Sequence, residues 1–422
     1  MSRHLNIVAF AALCAMIICC GRAPADPDDG TWPPSQSGGP PAPGEDARRP
    51  PSKTGTIGSM VSITVVDKLQ GERTSTSLLV RGGRAHATYW RCTLPCYQCQ
   101  VPLPDPLPPC SGHRYAAWTP DSGPASREHI GSEGGMSTSL WLAPGGQPRA
   151  SSAALSDVLI SSRDPGSTWT SARIPGPHDS WLPRTWAARG PTPHVAWTAN
   201  GAKGQRELWR SVQGPAGWKT SRHGTVYADL IAAFDGAARM HLIQTTTIHA
   251  IEDTQRLQYH APQQKPWTVT TSKARTLKVE ALVLDARRAA HLLYTSRKRI
   301  SMAQWEPVEL WYATNRSGSW AHQRLHAAPG YPGYFSPARL ALALDSRQQP
   351  HVAVNGAAWS GHKSSPGVRW PLLVGVVREG HWRFVQLDDH ATGALDVAVD
   401  KERVYVAYFG ATDFRLARAD IY

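Results

Sequence analysis

Apolar positions in this 422-residue chain fall into short runs, and the same pair of runs keeps returning. One run ends at an acidic residue, a short polar turn follows, and a His or Tyr opens the next. Leu230 to Asp235 leads to His241 to Ile243, and Ala281 to Asp285 leads to His291 to Tyr294. Leu340 to Asp345 leads to His351 to Val354, and Val397 to Asp400 leads to Tyr405 to Tyr408. Weaker copies stand at Leu78 to Val80 with His86 to Tyr89, at Leu140 to Leu142 with Gln147 to Arg149, and before His194 to Trp197. A third run follows in each unit, as at Glu207 to Arg210, Leu257 to His260, Leu310 to Ala313 and Leu372 to Gly375. A fourth begins at a Trp: Trp169, Trp218, Trp267, Trp320 or Trp382, mostly after a Gly (Gly217, Gly318, Gly380).

Runs of this length bounded by Gly, Pro, Asn and Asp predict β-strands, and four per unit predict a meander. The units recur about every 45 to 60 residues, the interval expected of four-stranded propeller blades. Repeated meanders bury their faces on one another, and radial closure leaves no long free edge. The expected fold is therefore an all-β propeller. Seven blades are favoured, beginning near Ser77, Ser137, Trp181, Tyr227, Lys278, Arg339 and Ala394; six or eight stay open because the first two units are degenerate. The last unit ends after Phe414 to Ala419, one strand short, and Met60 to Val66 is placed to supply that strand and fasten the ring.

Ahead of the repeats, Arg3 and His4 precede an apolar run, Leu5 to Ile18, too short for a membrane span and typical of an export signal. Two cleavage readings compete. Ile17-Ile18-Cys19-Cys20 resembles a lipobox with Cys20 as the lipidated residue, and Ala23-Pro24-Ala25 resembles an ordinary signal-peptidase site giving a secreted soluble protein. The first is preferred, because residues 21–56 are rich in Pro, Gly, Ser and Asp, cannot bury enough apolar surface to fold, and suit a tether. The organisation expected is a signal over 1–20, a linker over 21–56 and a propeller over 57–422. By resemblance to bacterial lipoproteins, Gly21 after Cys20 implies the outer membrane, with the lipid anchor as the only membrane contact.

The formal charge of +13 resides almost wholly in the propeller region, which makes acidic glycans, lipid headgroups or anionic proteins plausible neighbours. No Lys/Arg run interleaves with stacking aromatics, so nucleic acid is not expected. Cys92, Cys96, Cys99 and Cys110 cluster in one Pro-rich insertion. In an exported protein they predict two disulfides of undetermined pairing; a four-cysteine zinc site is the rival, disfavoured because Cys96-x-x-Cys99 has no second CxxC. The pairs Asp235/His241, Asp285/His291 and Asp345/His351 share one spacing, but a catalytic centre is singular and these recur in different blades. They are expected to hold turns, as the Trp anchors are expected to pack between blades. No cofactor or metal is expected.

Ser162-Arg163-Asp164-Pro165-Gly166-Ser167-Thr168-Trp169 fits Ser-x-Asp-x-Gly-x-Thr-Trp, and through it the chain resembles the Asp-box propellers of the sialidase superfamily. Ser162, Asp164, Gly166 and Trp169 are its structural residues: a hairpin in which Gly takes positive φ and Trp packs as the next strand begins. Asn315 to Trp320 is a degenerate copy. The resemblance implies a fold more than an activity. Sialidases also carry an Arg-Ile-Pro motif, and Arg173-Ile174-Pro175 matches it, although here it follows the box rather than preceding it. The family's acid, nucleophile pair and remaining arginines have no counterparts that map onto this sequence.

Propellers of this kind bind ligands on the face made by the second-to-third-strand and blade-to-blade loops, opposite the Asp-boxes. Three distinctive segments fall there: Cys92 to Cys110, His326 to Phe335, and Trp359 to Trp370. Their aromatics recur nowhere else in the repeat, so a core does not account for them. Tyr331, Tyr334, Phe335, Trp359 and Trp370, with His362, Lys363 and Arg369 as donors, are the candidate binding residues. Trp305-Glu306 and His178 to Trp181 are weaker members of that face. The function expected is an exported, non-catalytic module for a glycan or an envelope or extracellular protein, monomeric as a domain; the alternatives are a diverged sialidase-type hydrolase and a structural subunit of an envelope assembly.

Overall fold

The computed structural model describes residues 61–68, 75–91, 112–119, 126–131, 137–153, 158–166, 168–177, 185–187, 192–201, 205–226, 229–249, 254–298, 308–327, 340–355, 372–378, 380–389, 391, 395–410 and 412–420. They form seven four-stranded antiparallel sheets and contain no helix. Blade I spans 76–131, blade II 137–173, blade III 185–226, blade IV 230–272, blade V 275–327 and blade VI 340–388. Blade VII combines 395–420 with 61–68. Strands follow one another in sequence order within blades I to VI, 61–68 takes the outer place in blade VII, and the seven innermost strands, the first of each blade, touch in a closed circle. The protein is a seven-bladed β-propeller.

Burial explains why the strands read as they do. Second strands are covered on both faces, so His194–Asn200 and Pro350–Asn355 are almost continuously apolar or small. Outer strands keep a wet face: Trp169–Arg173 is mostly exposed, and Gly217–Val226 alternates. An apolar cluster lies at each of the seven blade junctions, with Tyr89, Trp118, Tyr405 and Phe414 between blades VII and I, Trp141 and Trp197 between II and III, and Leu257, Tyr259 and Leu292 between IV and V.

The ring closes as the incomplete last unit requires. Val61–Lys68 pairs antiparallel with Asp413–Asp420, from Val61 opposite Ala419 to Lys68 opposite Asp413. Val66 enters the core between blades VII and I. Buried Asp67 accepts a hydrogen bond from Tyr89 Oη at 2.9 Å and faces Arg127 of blade I at 3.3 Å, so the closing strand is tied to both neighbours.

First strands are stapled across the ring by side chains that accept main-chain N–H groups. Asp396 Oδ2 accepts from Leu78 N (2.7 Å), Ser77 Oγ from Leu140 N (3.1 Å) and Ser137 Oγ from Thr185 N (3.1 Å). Gln255 Oε1 accepts from Leu277 N at 2.8 Å. Each satisfies a donor that the neighbouring blade's own ladder leaves open.

The recurrent acids hold turns, as their repetition predicts. Oδ1 of Asp235 accepts from Ala237 N and Arg239 N, that of Asp285 from Arg287 N and Ala289 N, and that of Asp345 from Arg347 N and Gln349 N, all at 2.7–2.9 Å. Bonds from Arg239 and from those amides overcome burial, which alone would raise it, and hold the Asp235 carboxyl down at about 2.

Candidate functional site

The two ends of the ring differ. First-to-second and third-to-fourth connections are tight, such as 82–83, 143–147, 236–239 and 315–320. Long connections depart from the other end: 92–111 between the second and third strands of blade I, 356–371 in blade VI, 299–308 in blade V, 174–184 from blade II to III, and 328–339 from blade V to VI. The described strands that flank every segment singled out for binding end on that side of the ring. Tyr331, Tyr334, Phe335, Trp359, His362, Lys363, Arg369 and Trp370 themselves lie outside the described residues, as do Cys20, Cys92, Cys96, Cys99, Cys110, Trp305-Glu306 and His178 to Trp181.

A channel of about 540 Å³ runs through the ring, lined by the first strands of all seven blades. Its described wall shows more polar than apolar surface, since Leu78, Leu140, Leu282 and Leu342 among the lining residues are themselves buried, and its polar side chains serve the fold. Ser77 and Asp396 are two of the staples already described. Asp235, at the tight-turn end, spends Oδ1 on its own turn and Oδ2 on Arg239, whose Nε and Nη2 donate at 2.8 and 2.7 Å. Among the described residues, no group of three or more His, Cys, Asp or Glu is arranged to hold a metal ion.

The Asp-box stretch turns between the third and outer strands of blade II. Gly166 has φ of 73°, and Ser162 Oγ stands 3.3 Å from Thr170 Oγ1. Trp169 opens the outer strand and leans on blade I, its Nε1 donating to Glu128 Oε2 at 2.8 Å and its ring 5.2 Å from that of Tyr115. Arg173 ends that outer strand, away from the channel lining, and Ile174 is fully buried between blades II and III. The Arg-Ile-Pro segment is thus built into the junction of two blades.

Repeating His–Tyr pairs sit at the second and third strands. Nδ1 of His86, His241 and His291 lies 2.5 Å from the hydroxyl of Tyr115, Tyr259 and Tyr312 respectively. Burial pushes the histidines down, His86 to about 4, and the tyrosines up, Tyr115 and Tyr312 to about 12. Blade III carries Arg210 in the tyrosine place, its Nη2 2.6 Å from His194 Nδ1. Outer-strand tryptophans pack edge-on or tilted against these tyrosines from the next blade: Trp320 on Tyr259 at 5.6 Å and Trp382 on Tyr312 at 5.4 Å.

Trp267 breaks the pattern, which corrects the expectation that every anchor Trp packs between blades. In blade V, Tyr312 pairs across the sheet with Gln323, an odd number of residues past Trp320, so Trp320 takes the opposite face and looks back to blade IV. In blade IV, Tyr259 pairs with Trp267 itself. A difference of register turns a side chain to the other face. Trp267 therefore shares the Tyr259 face, looks forward to blade V, and is 39% exposed.

It borders a cavity of about 410 Å³ between blades IV and V at the tight-turn end, where Arg239, Arg287, Arg288 and Arg316 converge. A cavity of about 420 Å³ lies on the other side of the 261–266 turn, toward blade III, with Arg210, His223 and His260 in its wall. Sequence reading missed both, since the arginines of the first come from three separate turns and Arg210, His223 and His260 of the second from three separate strands.

No protein-family model matches this chain, and no curated protein does. Among solved structures it is similar to an ulvan lyase, a polysaccharide lyase bound to -[GlcA(1-4)Rha3S]-, at 8% identity and a TM-score of 0.55, over 84% of this chain and 94% of that one. It is also similar to an α-L-arabinanase of Penicillium chrysogenum complexed with arabinobiose, at 10% identity and a TM-score of 0.49, over 86% and 98% of the two chains. The likeness to the lyase establishes a shared fold.

Proposed function

We propose that this protein is an exported propeller that captures a glycan at the long-connection end of the ring without cleaving it. The observation that carries the reading is the asymmetry of the ring: tight turns occupied by hydrogen bonds at one end, and the segments bearing non-repeating aromatics rooted at the other. Binding residues concentrate on long loops held by a rigid scaffold. The shared fold of a polysaccharide lyase and the positive charge of the domain favour a sugar, and an acidic one, as the ligand. Tyr334 and Trp359 would stack on it, with His362, Lys363 and Arg369 as donors. Substituting Tyr334 or Trp359 with Ala is expected to weaken glycan capture by roughly 1–3 kcal/mol with little change in melting temperature; unaltered capture by both variants would overturn the assignment.

Non-catalytic action is favoured because the two carboxylates on the described channel wall, Asp235 and Asp396, are both committed to the fold. Glycoside hydrolysis calls for two carboxyl groups, or an equivalent nucleophile pair, facing a sugar. A diverged sialidase of the Asp-box superfamily is the second reading; it draws on Ser162 to Trp169 and on Arg173-Ile174-Pro175, and the place of Arg173 on an outer strand weakens it.

The export signal, the tether over 21–56 and lipidation at Cys20 belong to the same proposal. They put the propeller at the outer membrane, where a tethered glycan binder meets polysaccharide from outside. Cys20→Ala is expected to move the protein from the detergent phase to the soluble fraction, since stable anchoring needs the acyl chains. A native N-terminus at Asp26 carrying no lipid would instead support release as a soluble protein.

A further inference from the structure

We infer a second binding site, at the opposite end of the ring, in the cleft between blades IV and V: it takes an oxyanion-bearing sugar, the sulfate or carboxylate meeting the arginines while the ring lies on Trp267. The cleft is built by the repeat but departs from it at each position that matters. Arg239 reaches Asp235 through Nε and Nη2. Arg288, arriving from blade V, points Nε at the same Oδ2 from 3.6 Å, and Arg316 stands 3.9 Å from Asp285 Oδ2. Arg287 also lines the cleft, so four arginines stand against two carboxylates that are 99% buried behind the wall, whereas Arg239, Arg288 and Arg316 are 41–57% exposed where they pair. The cleft is left with an excess of two formal positive charges. Guanidinium forks match the geometry of carboxylates and sulfates.

One further observation points to an occupant. Trp267 is the anchor that register turns away from inter-blade packing, leaving a large flat apolar ring at the edge of a cationic cleft. The neighbouring cavity toward blade III does not compete, because its Arg210 is already engaged by His194, the Ala238 carbonyl and the Phe234 ring. A bare phosphate would need the arginines alone; an aromatic platform beside them favours an acidic saccharide.

Calorimetric titration of the purified protein with a sulfated heparin-derived hexasaccharide, its desulfated form and inorganic sulfate tests this. The wild type should bind the sulfated form in preference to the desulfated one. Arg288→Ala/Arg316→Ala should weaken that binding by about tenfold or more, as loss of charge-assisted hydrogen bonds does. Trp267→Ala should weaken the hexasaccharide but not inorganic sulfate. The loss caused by Arg288→Ala/Arg316→Ala should be the same in a Tyr334→Ala background as in the wild type, which separates failure of this site from failure of the long-connection site. Thermal melting confirms that the variants fold. Equal binding by wild type and double variant would overturn the proposal. So would binding of phosphatidylglycerol vesicles, lost in the double variant, by a protein that ignores the hexasaccharide, since that result assigns the cleft to a lipid headgroup.

Discussion

Two tryptophans that look alike in the sequence do different work. Trp320 lies edge-on against Tyr259 at 5.6 Å and joins the core between blades IV and V, whereas Trp267 borders solvent. Trp320→Ala is expected to cost about 3 kcal/mol, the low end for a lost aromatic because the ring is only half-buried. Trp267→Ala should stay within about 0.5 kcal/mol, as exposed substitutions do. Chemical denaturation of both variants checks the pair, and equal losses would contradict the assignment of faces. The difference was not legible in the sequence: it depends on which residue of the outer strand pairs with Tyr259, and a one-residue change of register leaves the hydrophobic pattern nearly intact while reversing the face. The acids were legible, because Asp235, Asp285 and Asp345 recur at one offset and a recurring acid needs a recurring task. Ser77, Ser137 and Asp396 were not, since a single polar residue in a strand carries no periodicity.

Among elements, the closing strand bears the most consequence. Val61–Lys68 covers the edge that Asp413–Asp420 would otherwise expose, and Asp67 ties it to blade I. Deleting residues 57–67 is expected to abolish soluble cooperative folding, since an uncovered edge strand templates association. A truncated protein that melts like the parent would show that blade VII closes by other means. This element could be read from the sequence because the last unit visibly lacked a strand while a spare β run stood at the front. The cleft between blades IV and V was harder to read: Arg239 and Arg288 come from first-to-second-strand turns and Arg316 from a third-to-fourth-strand turn, so no single offset in the sequence brings them together.

At the scale of the molecule, the ring repeats a buried histidine, and that repetition sets how stability responds to pH. His86 is held at about 4 and His113 at about 3 by burial, with Arg84 and His129 adding repulsion. Both lie below the unfolded value near 6.5, so the unfolded chain takes up protons first. Stability is unaffected above pH 6.5 and falls as pH drops from there toward the folded values, by about 3 kcal/mol for His86 alone at pH 4. His86→Gln should flatten the decline between pH 6.5 and 4.5, a window in which Asp235, with its pKa near 2, stays ionised. A denaturation midpoint that does not change over that window would contradict the burial assigned to these rings. The architecture was legible at this scale because seven imperfect copies average out their own irregularities. Function was not, because it resides in what the copies do not share, and the aromatics singled out for it, Tyr334 and Trp359 among them, fall in the connections and not in the blades. The central claim, capture of a glycan without cleavage, is tested most directly by equilibrating the purified protein with acidic polysaccharide fragments of defined size and recovering the retained sugar for size analysis. The account predicts that sugar is retained at its original length; shortened fragments would establish an enzyme, and failure to retain any would remove the glycan.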